Sequence, residues 1–184
     1  MLGLLVVCSL LAGTLGAAVF DLIDGTGGAE TESTLDEPSG LEQSLRDRIV
    51  ADPNDAATMA ELANLLANGG NLTEAILWYE KALAADPASS TIRLDFARSL
   101  AEGGKQRDAE VQFQRVVADE PANVEAHFYL GELYRDWQPP RADEAIAEYR
   151  RVLDLRPDSY LAQRATEALV ALGAATPVAV GTPA

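Results

Sequence analysis

The chain has 184 residues, of which 29 are acidic and 14 basic, for a formal charge of −15. That length suits one domain with appendages, and the acid excess excludes a nucleic-acid binder, which needs a basic footprint to release counterions. One cysteine, Cys8, and one histidine, His127, exclude an internal disulfide, a cysteine metal cluster and a multi-histidine metal site.

Leu2 to Phe20 is an unbroken run of 19 uncharged, mostly apolar residues. As a helix it would span about 28 Å, close to the roughly 30 Å of bilayer hydrocarbon. The expectation is one retained transmembrane anchor over residues 1–20, and a single-pass location at the cell membrane. The rival is a signal peptide cleaved at Gly16-Ala17-Ala18. The length of the run and the lack of any Lys or Arg before it favour the anchor. The positive-inside rule has little to act on. A terminal amine on one side and acids on the other place the rest of the chain on the extracytoplasmic side. Cys8 follows Val6-Val7, which does not fit a lipoprotein site, and reads as a buried thiol in an apolar helix.

Residues 21–40, DLIDGTGGAETESTLDEPSG, carry six acids, no bases and four glycines. They cannot bury enough apolar area to fold alone, so a disordered acidic linker is expected, with a reach of roughly 25 Å. Residues 174–184 are expected to form a disordered tail. Between these flanks, residues 41–173 hold all 14 bases and 23 of the acids. That excess keeps an alanine-rich body soluble.

The body is periodic. Asn68–Pro87 returns 34 residues later as Glu102–Pro121 and, after a two-residue slip, as Ala142–Pro157. Ala75, Tyr79, Ala82 and Pro87 align with Ala109, Phe113, Val116 and Pro121, then with Ala145, Tyr149, Val152 and Pro157. A fixed period in this range marks a solenoid of stacked helical pairs. The first helix of each unit shows apolar residues at helical spacing: Met59, Leu62 and Leu66; Phe96 and Leu100; Leu130 and Tyr134. Ala63, Ala97 and Gly131 fill a crowded eighth place, where small residues let two antiparallel helices approach. Pro53, Pro87, Pro121 and Pro157 stop helices, and Asp55, Ser89, Asn123 and Ser159 follow as N-caps. Gly69-Gly70 and Gly103-Gly104 make the internal turns, and Gln138-Pro139-Pro140 replaces them in the last unit. Asn71-Leu72-Thr73 reads as a helix start.

This pattern resembles the tetratricopeptide repeat (TPR) family, whose unit carries a large residue, then Leu-Gly, Tyr, Ala, Phe, Ala and Pro at set places in about 34 residues. Leu130-Gly131-Glu132-Leu133-Tyr134 matches best, while Met59, Arg93 and His127 replace the initial aromatic. The resemblance implies an all-α solenoid, in addition to the N-terminal membrane helix. It would comprise a half repeat at 41–55, full repeats at 56–89, 90–123 and 124–159, and a capping helix at 160–173. Leu41, Leu45 and Ile49 would cover the first repeat. Tyr160, Leu161, Ala165 and Leu169 would form the apolar side of the cap.

In that family the first helices line a concave groove that holds a peptide or helix. Groove places that differ between units are the candidates for partner binding: Asn64, Leu94, Arg98, Phe128, Tyr129, Glu132 and Arg135. The groove would pass from small and polar to aromatic, with Arg98 and Arg135 beside the Phe128–Tyr129 pair. It would suit an apolar or amphipathic segment with acidic flanks. The competing expectation is that Phe128 and Tyr129 pack under the capping helix. Trp78, where the sibling units have Gln112 and Glu148, is either an exposed docking contact on the outer face or a residue packed on the preceding helix. The family's carboxylate clamp does not fit, because Ala60, Glu125 and Tyr129 stand where it wants Lys or Asn.

No phosphate loop, serine elbow or histidine pair is present, so no catalytic residue, cofactor, metal or small-molecule substrate is expected. Asp143-Glu144 reads as a helix start stabilised by the macrodipole. The function expected is a non-enzymatic TPR adaptor or scaffold at the membrane. Two alternatives are a structural subunit of a membrane complex and an assembly factor of bacterial cytochrome c maturation that holds apocytochrome. The second is a resemblance carried by the anchor, the acidic linker and Leu41–Asp55, LEQSLRDRIVADPND.

Overall fold

The computed structural model describes residues 40–174. The anchor expected at Leu2–Phe20, the acidic linker and the tail from residue 175 lie outside the described residues. Eight helices and no strands make up the described part: α1 (Gly40–Ala51), α2 (Ala56–Asn68), α3 (Leu72–Ala85), α4 (Ser90–Glu102), α5 (Gln106–Asp119), α6 (Val124–Arg135), α7 (Ala142–Leu155) and α8 (Tyr160–Ala171). None of these is long and apolar enough to cross a membrane.

Each helix start follows from its cap. The side chains of Asp55, Ser89, Asn123 and Ser159 accept from the backbone N–H of Thr58, Ile92, Ala126 and Ala162. Asn71 does the same for α3 through the Glu74 N–H. These contacts satisfy donors that the first helical turn leaves orphaned. Lys105 and Arg141 precede α5 and α7 without a side-chain cap, but Asp108 and the Asp143–Glu144 pair sit in the first turns. Two of the internal turns need a left-handed residue, supplied by Gly70 at φ +83° and Gly104 at φ +75°. Where Gln138-Pro139-Pro140 replaces the glycine pair, the loop closes through the same backbone bond as its siblings: the Arg141 N–H donates to Tyr134 O at 2.9 Å, as those of Asn71 and Lys105 donate to Leu66 O and Leu100 O at 2.8 Å.

The helices pair as α2–α3, α4–α5 and α6–α7, each pair stacked on the next. The second-helix stripes Ala75/Tyr79/Ala82, Ala109/Phe113/Val116 and Ala145/Tyr149/Val152 are all at 1 % exposure or less. Their large rings enter the gap that the eighth-place residues Ala63, Ala97 and Gly131 leave open. At Gly131 the fit is tightest, since a Cβ there would lie 2.8 Å from the Tyr149 ring.

The missing initial aromatic is replaced by polar bridges. Arg93 donates to Pro87 O at 2.9 Å and to Gln112 Oε1 at 3.1 Å. His127, one unit on, places Nε2 3.1 Å from Pro121 O and Nδ1 2.6 Å from Glu148 Oε2. Gln112 and Glu148 are the residues that stand at the place of Trp78. Each of these two units thus ties its first helix to its second, and to the loop before it, with a matched polar pair.

The two ends correct the expected lining. In α1, Leu45 and Ile49 are buried, but Leu41 is 55 % exposed. Leu41 holds the place of Ala75, Ala109 and Ala145, which the first helix of their own unit covers. No described helix precedes α1 to do so. In α8 the inward stripe is Ala162, Ala165, Ala168 and Leu169, whereas Tyr160 is 68 % exposed and Leu161 half-buried. At about 100° per residue, Tyr160 lies on the far side of the helix from Ala162. Thr166 and Glu167 occupy the α8 places that correspond to Leu130 and Gly131, so the cap carries polar residues where the repeats are apolar or small, although Tyr160 and Val170 stay exposed on it. Leu41–Asp55 serves this architecture: it forms α1 and the cap of α2, and Arg48 reaches Thr58 Oγ1 at 2.5 Å and Glu61 at 3.1 Å.

Candidate functional site

The seven groove candidates separate into three settings. Leu94 and Phe128, both at a fifth place, are buried at 6 % and 3 % exposure with Ala60 beside them in register. They belong to the core beneath the groove. Asn64 and Glu132, both at a ninth place, are tied down: Asn64 accepts from the Tyr79 hydroxyl, and Glu132 accepts from the Tyr149 hydroxyl. Asn64 also donates to Asp95 at 3.5 Å. Burial raises the pKa of both phenols, that of Tyr79 to about 12.

Arg135 is the third setting. It grips Glu132 at 2.6 Å and Asp136 at 2.9 Å, and those carboxylates hold its pKa above the usual arginine value. Its charge is therefore spent within the chain. Arg98 and Tyr129, by contrast, face the groove. The Arg98 guanidinium lies 4.9 Å from the Tyr129 ring centroid, and Tyr129 stacks on Phe113 at 6.1 Å. Phe128 meets Tyr129 edge to face at 5.6 Å and contacts Tyr149 at 6.0 Å. The aromatic pair thus bridges the core and the groove surface.

These residues surround a pocket of about 380 Å³ between α4, α5, α6 and α8. It brings together Arg98, Phe128, Tyr129 and Glu132 and leaves out Asn64, Leu94 and Arg135. Sequence comparison missed the rest of its lining, Phe113, Leu161 and Arg164 included. Signals for two of them exist in the repeat. Phe113 alone lacks the hydroxyl of Tyr79 and Tyr149, and Arg164 holds the fifth place of the next, incomplete unit. Arg164 lies 5.6 Å over the Phe128 ring, so α8 closes one side of the pocket.

Trp78 is half-buried against the core. Its Nε1–H donates to Glu74 at 3.3 Å, Lys81 Nζ lies 3.8 Å over the ring, and the Arg46 guanidinium of α1 lies 5.9 Å from it. Arg46 also pairs with Glu74 at 2.7 Å. These contacts join α1 to α3. Trp137 stands 6.5 Å from Tyr134, and Arg141 lies over both rings while pairing with Glu110 at 2.9 Å. Among the described residues no group of three or more His, Cys, Asp or Glu side chains is placed to hold a metal ion.

No curated protein matches the sequence. Solved structures do match in fold. A tetratricopeptide repeat protein from Parabacteroides merdae superposes with a TM-score of 0.62 at 23 % identity, over 72 % of this chain and 52 % of that one. This chain therefore spans about half the length of that relative. The first TPR of Spaghetti (RPAP3), bound to the HSP90 peptide SRMEEVD, gives 0.57 at 27 % identity, over 66 % of this chain and 93 % of that one. YrrB, a TPR protein with an unusual peptide-binding site, gives 0.59 at 20 % identity, over 68 % and 64 %. The family model for the tetratricopeptide repeat matches residues 41–90 and 94–160, well over half of the sequence. The chain belongs to the tetratricopeptide repeat family.

Proposed function

We propose that this protein is a non-enzymatic scaffold that holds a segment of a partner protein in the concave groove of its repeats. The reading includes attachment to a membrane through residues 2–20, with the repeats on the extracytoplasmic side. The observation that carries it is the pocket at the α8 end of the groove, where Tyr129, backed by the buried Phe113, and the half-buried Leu161 make an apolar wall and Arg98 stands beside them. Such a surface has the composition of a binding hot spot: aromatics and arginine in a concave setting. The RPAP3 domain, 27 % identical, holds a peptide that contains two glutamates and an aspartate. The partner segment proposed here is apolar or amphipathic with acidic flanks. TPR folds are interaction modules, and the groove offers no nucleophile paired with a base, which supports a non-catalytic role.

The test is affinity capture from gently solubilised membranes with the native chain and with Tyr129→Ser. Tyr129 is half-buried, so its loss uncovers Phe113 without opening an enclosed cavity, whereas Phe128→Ala would open a core cavity at a cost of about 3–5 kcal/mol. Partners held by the native chain and lost by the variant, with equal helicity and melting temperature, establish the groove as the working surface. The same partners held by both would refute the reading.

A further inference from the structure

Arg98 and Arg164 stand apart from the other ion-paired arginines of the described residues. Arg46, Arg48, Arg115, Arg135 and Arg141 each hold a carboxylate at 3.2 Å or closer. Arg98 reaches a carboxylate only at 3.8 Å, on Asp95, and Arg164 only at 4.0 Å, on Glu132. Arg164 adds a 3.5 Å contact to the Tyr160 hydroxyl. Both guanidiniums lie instead on aromatic rings, Arg98 on Tyr129 and Arg164 on Phe128, and those rings touch each other. A guanidinium stacked on a ring keeps its N–H edge available for an acceptor. Both residues line the same pocket.

The repeat explains why Arg98 is uncommitted. At the ninth place, Asn64 and Glu132 accept the hydroxyl of the tyrosine in their own unit. The middle unit has Phe113, with no hydroxyl to place, so its ninth residue is released from that bond. Arg98 Nε–H is buried and has no acceptor among the described residues. A buried, unpaired guanidinium donor is costly to keep, and a ligand oxygen would satisfy it. Of the three carboxylates that line the pocket, two are engaged by another arginine and the third forms no ion pair with Arg98 or Arg164. Glu132 and Asp136 are held by Arg135, and Glu102 is exposed.

We propose that Arg98 and Arg164 form a seat for the acidic side chains of the partner segment, with the neighbouring apolar side chain lying on Tyr129 and Leu161. This rests on the groove reading and deepens it: acid recognition belongs to α4 and the cap α8, not to Arg135. A partner with Gln in place of Glu loses the charge-assisted hydrogen bonds that the two guanidiniums supply.

The experiment uses the purified full-length chain in non-ionic detergent and fluorescence anisotropy of a labelled nonapeptide, Ser-Gly-Ala-Leu-Glu-Leu-Ala-Gly-Ser, against its Gln counterpart. At about 0.15 M salt the Glu peptide is expected to bind roughly three- to tenfold tighter, as befits partly exposed charge pairs. Arg98→Gln and Arg164→Gln should each reduce that ratio, and the double variant should bring it to about one, with the melting temperature unchanged. Arg98→Lys keeps the charge but loses the fork of donors, so it should recover only part of the preference. Arg98→Glu should reverse it toward a Lys counterpart of the peptide. A native ratio near one, a preference that survives the double variant, or no saturation by about 1 mM would overturn the proposal. If Tyr129→Ser still releases captured partners while the ratio is one, the groove reading stands and the seat alone falls. If Tyr129→Ser releases nothing, the groove reading fails and the seat falls with it.

Discussion

Replacing Gly131 with alanine sets two effects of opposite sign against each other. Gly131 lies within α6, where alanine in place of glycine gains about 1 kcal/mol of helix propensity. The added Cβ, however, would sit 2.8, 2.9 and 3.1 Å from three atoms of the Tyr149 ring. Ordinary van der Waals contact begins near 3.5 Å, so the ring must retreat by several tenths of an ångström. Little room exists for that. Tyr149 is fully buried, packs against Phe128, and is anchored through its hydroxyl to Glu132. Overpacking of a rigid site costs about 1–3 kcal/mol, so the net expectation is a loss of roughly 0–2 kcal/mol. Urea unfolding followed by circular dichroism reads this directly. Ala63→Gly and Ala97→Gly, at the fully buried sibling places, lose propensity and a buried methyl together and should each cost about 1–2 kcal/mol. Gly131→Ala/Tyr149→Leu removes the ring and should show less strain from the alanine than the single change does. If Gly131→Ala is stabilising, the steric account of the eighth place is wrong and propensity decides there.

The His127 ring places both nitrogens against acceptors, Glu148 and Pro121 O, a geometry only the doubly protonated ring satisfies fully. Its pKa is raised, first by the bond to Glu148. The stabilisation is therefore complete below the unfolded value of about 6.5 and is lost as pH rises through the higher folded value. Urea midpoints from acid to alkaline pH should fall across that window in the native chain. His127→Gln should flatten the fall, and equal slopes in both would contradict it. Asn123→Ala removes the acceptor that caps α6 at 3.0 Å and should cost about 1 kcal/mol of thermal stability, whereas Asn123→Ser should cost much less. Tyr79→Phe takes a hydroxyl from between Asn64 and Ser99 and leaves both underpaired. A loss of about 1–2 kcal/mol is expected by urea unfolding, and no loss would mean that water replaces the phenol freely.

The repeat, its N-caps and its turns were legible in the sequence because they are local and periodic. Asp55, Ser89, Asn123 and Ser159 cap the helices they precede, and Gly70 and Gly104 take the left-handed turns expected of them. Such features depend on chain chemistry within a few residues. The ends were less legible, because periodicity says which side chains share a face but not whether a neighbour covers it. Leu41 and Tyr160 look apolar enough for a core, yet no described helix reaches Leu41, and Tyr160 starts α8 on its outer side.

The groove shows the same division at single residues. Sequence comparison between units identifies Arg98, Phe128 and Tyr129 as departures, and all three line one pocket. It could not separate Phe128, buried beneath the groove, from Tyr129 at its surface, because adjacent helical residues differ by only about 100°. Nor could it tell which arginine has charge to offer. Arg98 and Arg135 read alike as basic groove residues, yet Arg135 is consumed by Glu132 and Asp136 and Arg98 by no close carboxylate. The sequence by itself determined the stacked helical pairs, since the 34-residue period repeats one set of caps, turns and apolar stripes. Only the tertiary structure decided the availability of each charged group, because an ion pair is set by side-chain positions that no repeat pattern specifies.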